Sequence, residues 1–151
     1  MVGDINVCML CTNLGERPFN TCPMSAQQVE EDGTIWFLSG KDSTHNADIE
    51  RQGEVQLIFS NKQSEEEYLS VYGKAEINYD RAKAKELFDQ FEKTWFPQGP
   101  EDPNLSLIKV TPQSGYYWDT KHGAMVSFAK MAISAVTGAQ MDDGVSGALK
   151  L

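Results

Sequence analysis

The residues best suited to chemistry form a short polar run at positions 41–45, Lys-Asp-Ser-Thr-His. The run follows residues 35–38, whose apolar, β-branched and aromatic side chains predict a short buried strand. Residues 48–52 are predicted to form a short helix that begins where the polar loop ends. Hydroxyls and backbone N–H groups at the start of a helix favour an anion such as a phosphate. An ordinary solvent-exposed turn explains the same residues, so the run alone leaves both interpretations open.

Cysteine is the second residue type that could carry chemistry. Cys8 and Cys11 have the C-x-x-C spacing, but they lie in a predicted strand, where residues three apart point to opposite faces. No second C-x-x-C or His pair completes a tetrahedral set, so no metal site is predicted. Cys22 makes the count odd, which suits a reducing compartment rather than a disulfide framework. A small cysteine in a strand is more often buried than reactive.

The sequence contains no arrangement typical of acid–base or nucleophilic catalysis by the protein itself. Neither a Ser-His-Asp set nor a paired-carboxylate motif is visible, and we assign no role to His122. We therefore name no catalytic residue.

Length and composition are those of one globular domain. The chain has 151 residues, of which 40% are hydrophobic and 23% charged. Its formal net charge of −9, with no Lys/Arg cluster, repels phosphate backbones, so nucleic-acid binding is not expected. No apolar run is long enough to span a membrane, and the N-terminus does not resemble a signal peptide. We expect a cytoplasmic protein that binds no membrane.

The elements that must position these residues are mostly strands. The first three apolar or alternating segments, separated by short polar turns, predict an antiparallel meander. Gly73 is predicted to mark a bulge or bend in the longest predicted strand. Hairpin spacing together with such curvature favours a closed barrel over an open sandwich. The predicted strands are residues 5–12, 19–25, 35–38, 55–60, 68–77, 106–111 and 114–119.

Two helices are predicted in the second half of the chain. Asp80 is a good N-cap for a helix over 81–95, where apolar side chains recur at helical spacing. A second apolar helical face follows residue 122, with Gly138 as its C-cap. The last dozen residues are expected to be loose unless they dock on a partner. We divide the chain into a barrel domain, 1–121, and a C-terminal helix and tail, 122–151, packed on the barrel or on a partner subunit.

Six motifs occur in an order and spacing typical of one known family. They are Thr-Cys-Pro-Met-Ser at 21–25, Ile-Trp-Phe-Leu-Ser at 35–39, Ser-Thr-His at 43–45, Tyr-Gly-Lys-Ala at 72–75, Trp-Phe-Pro-Gln-Gly-Pro-Glu-Asp-Pro at 95–103 and Tyr-Trp-Asp at 117–119. With these motifs the chain resembles, over essentially its whole length, the general stress protein family of FMN-binding split β-barrels, relatives of pyridoxamine phosphate oxidase. The block at 95–103 is the most specific piece. Members of this family usually carry a short helix before the first strand, whereas this chain starts almost directly on that strand, as a short variant or a fragment would.

The resemblance implies a mainly β fold, a six-stranded antiparallel split β-barrel with flanking helices. It also implies a homodimer that binds a flavin, FMN, in clefts at the dimer interface. Trp118 either stacks on the ligand or packs at a dimer contact, whereas Trp36 and Trp95 are expected in the core or in an interface. The residues that the resemblance assigns to FMN are Thr21, Cys22, Pro23, Met24, Phe37, Leu38, Ser39, Ser43, Thr44, His45 and Trp118.

Two of these positions depart from the family pattern. Cys22 stands where the family has the Arg of Arg-Pro-Met, and His45 stands where it has the Lys of Ser-x-Lys; the family's two cations hold the FMN phosphate. Both replacements are mostly neutral at pH 7. A charge-assisted hydrogen bond is worth about 1.5–3 kcal/mol, so losing two costs roughly 3–6 kcal/mol, or about a hundred- to ten-thousand-fold in affinity. Neighbouring hydroxyls and loop N–H groups can still hold a phosphate, so the sequence predicts weak rather than tight FMN binding.

Three hypotheses about function follow. The first is a flavin-binding, oxidoreductase-like stress protein with FMN-dependent chemistry on an unknown substrate, in which the flavin carries the reaction and the protein positions it. The second is a non-enzymatic module that binds a flavin or a related ligand without turnover. The third is a barrel that binds no cofactor and acts as a dimeric interaction protein. Pyridoxamine phosphate oxidation itself is disfavoured, because the strongly basic contacts that its substrate phosphate would need are not visible.

Overall fold

The computed structural model describes residues 7–60, 67–88, 90–118 and 146–150, with only the backbone of residues 90–91 and 146–150. Seven strands, two α-helices and two short 3₁₀ helices make up the described part of the chain. In chain order they are β1 (Val7–Thr12), β2 (Asn20–Val29), β3 (Ile35–Gly40), α1 (Thr44–Arg51), β4 (Glu54–Ser60), β5 (Tyr68–Asn78), α2 (Arg81–Leu87), the 3₁₀ helices Gln90–Thr94 and Gly99–Glu101, β6 (Leu105–Trp118) and β7 (Ser146–Lys150).

Six of these strands close into an antiparallel barrel. The strand order is β3-β2-β1-β4-β5-β6, and β3 pairs again with β6 to complete the ring. The closing register runs from Ile35 opposite Val110 to Gly40 opposite Leu105. The mainly β, six-stranded antiparallel barrel with flanking helices is therefore confirmed.

The closing strand β3 is buried on both faces, which explains why its sequence is apolar throughout. Ile35 and Phe37 point into the barrel and belong to its main core cluster. Trp36 and Leu38 point outward into a second cluster that α2 and Phe96 cover. Burying a side chain of this size contributes about 1.5–3 kcal/mol, so each face of β3 adds several kcal/mol to barrel closure.

A β-bulge bends the barrel where the sequence predicts one. The register between β5 and β6 shifts at Tyr72/Gly73. Tyr72 lies opposite Ser114, whereas the next residue, Gly73, lies opposite Pro112, so β6 has one extra residue at this point. A Cβ on Gly73 would lie 2.5 Å from the backbone oxygen of Thr111, closer than any real contact, so this position requires glycine. The prediction of two strands at 106–111 and 114–119 is wrong, because these residues belong to one continuous strand, β6. The bulge accommodates Pro112 within that strand.

Two of the three predicted helices lie within the described residues, and both differ from the observed ones. α1 begins at Thr44, four residues earlier than expected, because the Ser43 hydroxyl accepts a hydrogen bond from the backbone N–H of Asn46 and caps the helix. Asp80 caps α2 as predicted, accepting from the backbone N–H groups of Ala82 and Lys83 at 2.9 and 3.2 Å. However, α2 ends at Leu87 instead of running to residue 95, since the backbone of the next residue is extended and a 3₁₀ helix follows.

The C-terminal predictions are only partly within the described residues. The predicted helix from residue 122 and its C-cap at Gly138 lie outside them. Ser146–Lys150 forms β7, which pairs antiparallel with β6 from Ser114 opposite Lys150 to Trp118 opposite Ser146. The expectation of a loose tail is therefore wrong for this segment, because the exposed edge of β6 offers its backbone hydrogen bonds to it. The division at residue 121 stays a prediction.

A buried carboxylate joins β1, β2 and α1. Asp48, 4% exposed, accepts hydrogen bonds from Thr12 Oγ1 at 2.8 Å, Asn20 Nδ2 at 2.7 Å and Arg51 Nη2 at 2.9 Å. Burial alone would raise the pKa of the Asp48 carboxyl, but the hydrogen bonds from Asn20 and Thr12 and the charge of Arg51 outweigh it and hold the pKa below its ordinary value. The ionised carboxylate therefore fixes α1 against the barrel at neutral pH.

Replacing this carboxylate should destabilise the fold. We expect Asp48→Asn to lower the free energy of unfolding by about 2–4 kcal/mol, because the amide offers one acceptor where three donors converge. Thermal and urea unfolding at pH 7 should show a melting temperature lower by roughly 5–15 °C. The control is Glu50→Gln on the exposed face of the same helix, which should change stability by less than about 0.5 kcal/mol. Equal effects of the two substitutions would contradict the role assigned to Asp48.

Candidate ligand-binding cavity

A half-open cavity of about 460 Å³ lies between β2, the end of β3 and the segment after α2. Its size falls within the range of about 300–1,000 Å³ that is typical of small-molecule sites. Strand β2 contributes residues 22–25 and 27, the end of β3 contributes residues 38–40, and α1 contributes His45. The segment that follows α2 completes the wall with Glu92, Trp95 and Phe96.

Six of the eleven residues that the sequence assigned to a flavin line this cavity. They come from three separate stretches of the chain, 22–24, 38–39 and 45, which the pairing of β2 with β3 and the start of α1 bring together. The six are Cys22, Pro23, Met24, Leu38, Ser39 and His45. That a flavin occupies the cavity stays a prediction.

The other five assigned residues lie outside the cavity lining. Phe37 is fully buried in the barrel core. It faces away from its neighbour Leu38, which lines the cavity, because alternate residues of β3 point to opposite sides. Thr21 and Thr44 are exposed, and the Ser43 hydroxyl is already bonded to the Asn46 N–H. Trp118 lies at the end of β6 opposite Tyr68, far along the strand from the part that pairs with β3. No side chain of these five contributes to this cavity within one subunit.

A buried hydrogen-bond network supports the cavity from behind. Ser106 Oγ donates to the backbone oxygen of Ser39 at 3.1 Å, so its lone pairs accept from Ser39 Oγ at 2.8 Å and from Asn46 Nδ2 at 2.7 Å. The network ties the ends of β3, β6 and α1 together. Because Asn46 is adjacent to His45, it also holds the histidine at the cavity wall.

The two residues at the predicted phosphate end are both uncharged at neutral pH. Burial lowers the pKa of His45, and the nearby Asp48 carboxylate only partly opposes this. Its Nε2 is buried and has no hydrogen-bond partner among the described residues. Burial raises the pKa of the Cys22 thiol, which donates weakly to the backbone oxygen of Pro23 at 3.5 Å. The wall therefore presents a thiol and a neutral imidazole.

The charge of the cavity comes from a carboxylate. Glu92 is part of the wall and accepts a hydrogen bond from Gln27 Nε2 at 3.3 Å. Within the described part of the chain, no Lys or Arg side chain lines the cavity. Lys41 follows the wall directly, but its Nζ lies over the ring of Tyr79, 5.5 Å from the centroid. Among the described residues that line the cavity, Glu92 is thus the one with a charged side chain.

Sequence reasoning missed the part of the wall contributed by the segment after α2. Trp95 is expected in the core or in an interface; at 75% exposed it lies at the cavity and not in the core, whereas an interface position stays a prediction. Its neighbour Phe96 is buried in the second core cluster and anchors the segment. The signal was present in the block at 95–103, but the apparent helical spacing concealed the break after Leu87 that turns Trp95 away from a helix face.

A closed six-stranded antiparallel barrel with a half-open cavity beside β2 and β3 defines the fold and the candidate site. The family model "Pyridoxamine 5'-phosphate oxidase like" matches residues 1–142 of the chain. The chain therefore belongs to the pyridoxamine 5'-phosphate oxidase like family, and the resemblance drawn from the sequence motifs is confirmed.

Solved structures of similar fold include several general stress proteins. A putative general stress protein 26 from Jannaschia sp. CCS1 is 26% identical with a TM-score of 0.72, over 99% of this chain and 93% of that chain. A general stress FMN/FAD-binding protein from Xanthomonas citri is 29% identical with a TM-score of 0.66, over 78% and 82% of the two chains. General stress protein 26 from Bacillus anthracis is 28% identical with a TM-score of 0.64, over 76% and 84%. No match was found among the curated proteins.

Two further properties concern the described residues only. Within them, no helix has the length and apolar character needed to cross a membrane. In the same ranges, no three His, Cys, Asp or Glu side chains lie close enough together to hold a metal ion.

Cys8 is part of the main core cluster, and burial raises the pKa of its thiol.

The burial of His45 predicts a titration below the ordinary histidine pKa of 6.5. The folded protein binds fewer protons here than the unfolded chain, so the contribution of His45 to stability is complete above pH 6.5 and falls as the pH drops below it. The pKa is measured by NMR from the imidazole Cε1–H shift, and His45→Gln assigns the signal. Asp48→Asn should lower the pKa further, because it removes the one nearby charge that favours protonation. A pKa at or above 6.5 in the wild type would contradict the burial of this side chain.

Proposed function

We propose that this protein is a flavin-binding general stress protein and that its flavin binds in the cavity between β2, β3 and the segment after α2. The observation that carries the proposal is the convergence of residues 22–24, 38–39 and 45 on one cavity of suitable size. The similarity to a general stress FMN/FAD-binding protein from Xanthomonas citri supports it. FMN is the cofactor implied by the resemblance, bound weakly because neither Arg nor Lys stands at positions 22 and 45.

The chemistry of the wall suits a flavin ring. Pro23, Met24, Leu38 and Phe96 offer apolar surface, and hydrogen-bonding groups of Ser25, Gln27 and His45 stand at the polar edges. A bound flavin would supply electron transfer as hydride or single electrons. The residues of this chain would hold the ring, exclude water from its apolar face and meet its polar edge. The described lining residues form no acid–base pair. The site is therefore compatible both with an oxidoreductase of unknown substrate and with a non-enzymatic flavin carrier.

The test of the proposal is a titration of the purified protein with FMN and riboflavin, followed by flavin fluorescence. Saturable quenching at one flavin per chain supports the proposal. Reduction of bound FMN by NAD(P)H then favours the oxidoreductase, and its absence favours the binding module. Lack of quenching by both flavins up to their solubility would refute the proposal and favour the dimeric interaction protein.

The exposed indole of Trp95 is the side chain best placed to stack on a flavin ring. We expect Trp95→Ala to weaken flavin binding about tenfold, since aromatic stacking is worth roughly 1–3 kcal/mol. Trp95→Phe should retain binding within about threefold, because a ring remains. The control is Phe19→Ala, which removes another exposed aromatic side chain, 49% exposed, away from the cavity. Unchanged affinity in Trp95→Ala would show that the ligand does not contact this indole.

We also propose that the protein forms a homodimer through the outer face of β1, β4, β5 and β6. Met9 lies opposite Ile58 and Tyr68 opposite Trp118, and these four side chains are 39–46% exposed. Tyr116 extends the same face, with its ring centroid 4.5 Å from that of Trp118. Ser70 lies between Ile58 and Tyr116 on this face, and exposed apolar and aromatic side chains grouped in this way are typical of subunit contacts. Trp118 then serves as a dimer contact.

Ile58→Glu should therefore convert the dimer to a monomer, because a second copy would bury two unpaired carboxylates near the centre of the face. Light scattering after size exclusion measures the mass over a range of concentrations. Tyr79→Glu is the control, since Tyr79 is equally exposed, at 46%, but lies outside the face. A wild-type protein that is monomeric at all concentrations, or an Ile58→Glu variant that stays dimeric, would refute this interface.

A cytoplasmic location also remains our proposal. It is supported by the three free thiols, Cys8, Cys11 and Cys22, none of which is bridged. Free thiols persist in a reducing compartment.

A further inference from the structure

A β-bulge in β2 lies directly beside the cavity. The register between β2 and β3 shifts between Ala26 and Gln28, so Gln27 is the extra residue of the bulge. The pairing of β2 with β3 ends at Ala26, and residues 22–25 beyond it line the cavity together with the end of β3. Bulges commonly occur beside binding sites, where they redirect a side chain and end a pairing. Gln27 itself is part of the cavity lining.

The orientation of the Gln27 amide group is fixed by its neighbours. Its Nε2 donates to the backbone oxygen of Ser25 at 3.2 Å and to a carboxylate oxygen of Glu92 at 3.3 Å. A backbone carbonyl oxygen only accepts hydrogen bonds, so the NH₂ end of the amide has to face it. The flipped amide would bring its own oxygen against the oxygen of Ser25, which excludes that assignment. The bond to Ser25 is therefore sufficient to fix the orientation, whatever else contacts Glu92.

The polar atom of Gln27 that remains for a ligand is its carbonyl oxygen, Oε1. Both protons of Nε2 are used by Ser25 and Glu92, so the side chain offers a ligand an acceptor and no donor. Within the described part of the chain, no donor is bonded to Oε1. A fixed acceptor in a cavity wall favours a ligand that presents an N–H or O–H group, and disfavours one that presents a lone pair.

An oxidised flavin ring carries one such donor, the N3–H group between its two carbonyl groups. Cys22 and His45 stand where the resemblance places the phosphate end of FMN. Gln27 lies five residues beyond Cys22 on β2, roughly 15 Å along an extended strand. With the ribityl chain at the Cys22 end, the flavin ring extends toward Gln27.

From this arrangement we propose that Gln27 determines the specificity of the cavity. Its Oε1 accepts a hydrogen bond from a ring N–H group of a heteroaromatic ligand, which is the N3–H group in a flavin. The proposal rests on the proposed flavin site and names the residue that recognises the ring.

The test compares riboflavin with 3-methylriboflavin, in which a methyl group replaces the N3 proton. We expect the wild-type protein to bind riboflavin about tenfold more tightly or better, because the methylated ring leaves Oε1 without a donor. Quenching of flavin fluorescence gives both dissociation constants. Equal affinities of the wild-type protein for the two flavins would overturn the proposal.

Gln27→Met separates hydrogen bonding from shape, because methionine has nearly the same length as glutamine and no amide group. The preference for riboflavin should fall to within about threefold in this variant. A residue that only supports the strand would weaken both flavins equally, so an unchanged preference in Gln27→Met would refute the proposal. The matched control is Gln52→Met, at the C-terminal cap of α1 and outside the cavity lining, which should keep the wild-type preference. Loss of the preference in this control as well would refute the assignment to Gln27.

Circular dichroism verifies that the variants fold. If Gln27→Met does not fold, NMR of the ¹⁵N-labelled wild-type protein replaces it. The side-chain amide signal of Gln27 should then shift more with saturating riboflavin than with saturating 3-methylriboflavin, and equal shifts would overturn the proposal.

The outcomes separate this proposal from the proposed function. Binding of riboflavin without a preference over 3-methylriboflavin refutes the role of Gln27 and leaves the flavin site intact. Binding of neither flavin by the wild-type protein refutes the flavin site itself, and with it this proposal.

Discussion

The pairing of β3 with β6 is the constraint on which the rest of the structure depends. It closes the barrel, so β3 has no free edge and no free face. Its inward residues complete the main core, and its outward residues, Trp36 and Leu38, require the cover of α2 and Phe96. The same pairing ends at Gly40, which places the end of β3 and the start of α1 at the cavity. Fold and site thus follow from one strand that is buried on both sides.

The cavity combines a rigid frame with a weakly polar lining. The hydrogen bonds of Asp48 and of the Ser39–Ser106–Asn46 network fix the elements around it, and the lining itself contributes few groups that bind strongly. Affinity in such a site comes from apolar contact and from stacking on an exposed ring.

The strands were predictable because local patterns determine them, whereas the pairings of β1 with β4 and of β3 with β6 were not, because they join segments distant in the chain. Apolar segments between polar turns located six barrel strands, and Gly73 marked the bulge that the close approach of Thr111 requires. The helix boundaries were not predictable from local patterns. α1 depends on the Ser43 cap, and α2 ends at Leu87, before the chain turns to place Phe96 in the second cluster. Half of the site was therefore found from motifs, whereas Glu92 and Trp95 reach the cavity only through that tertiary turn.

The flavin is proposed to bind in the cavity between β2, β3 and the segment after α2. Amide chemical-shift mapping, with riboflavin added to ¹⁵N-labelled protein, locates the bound ligand on the protein. We predict that the largest shifts occur at Cys22, Ser39, His45 and Glu92, with little change on the outer face of β4 and β5. Largest shifts at residues such as Ile58 and Tyr68, or no shifts at saturating riboflavin, would contradict the assignment of this cavity as the flavin site.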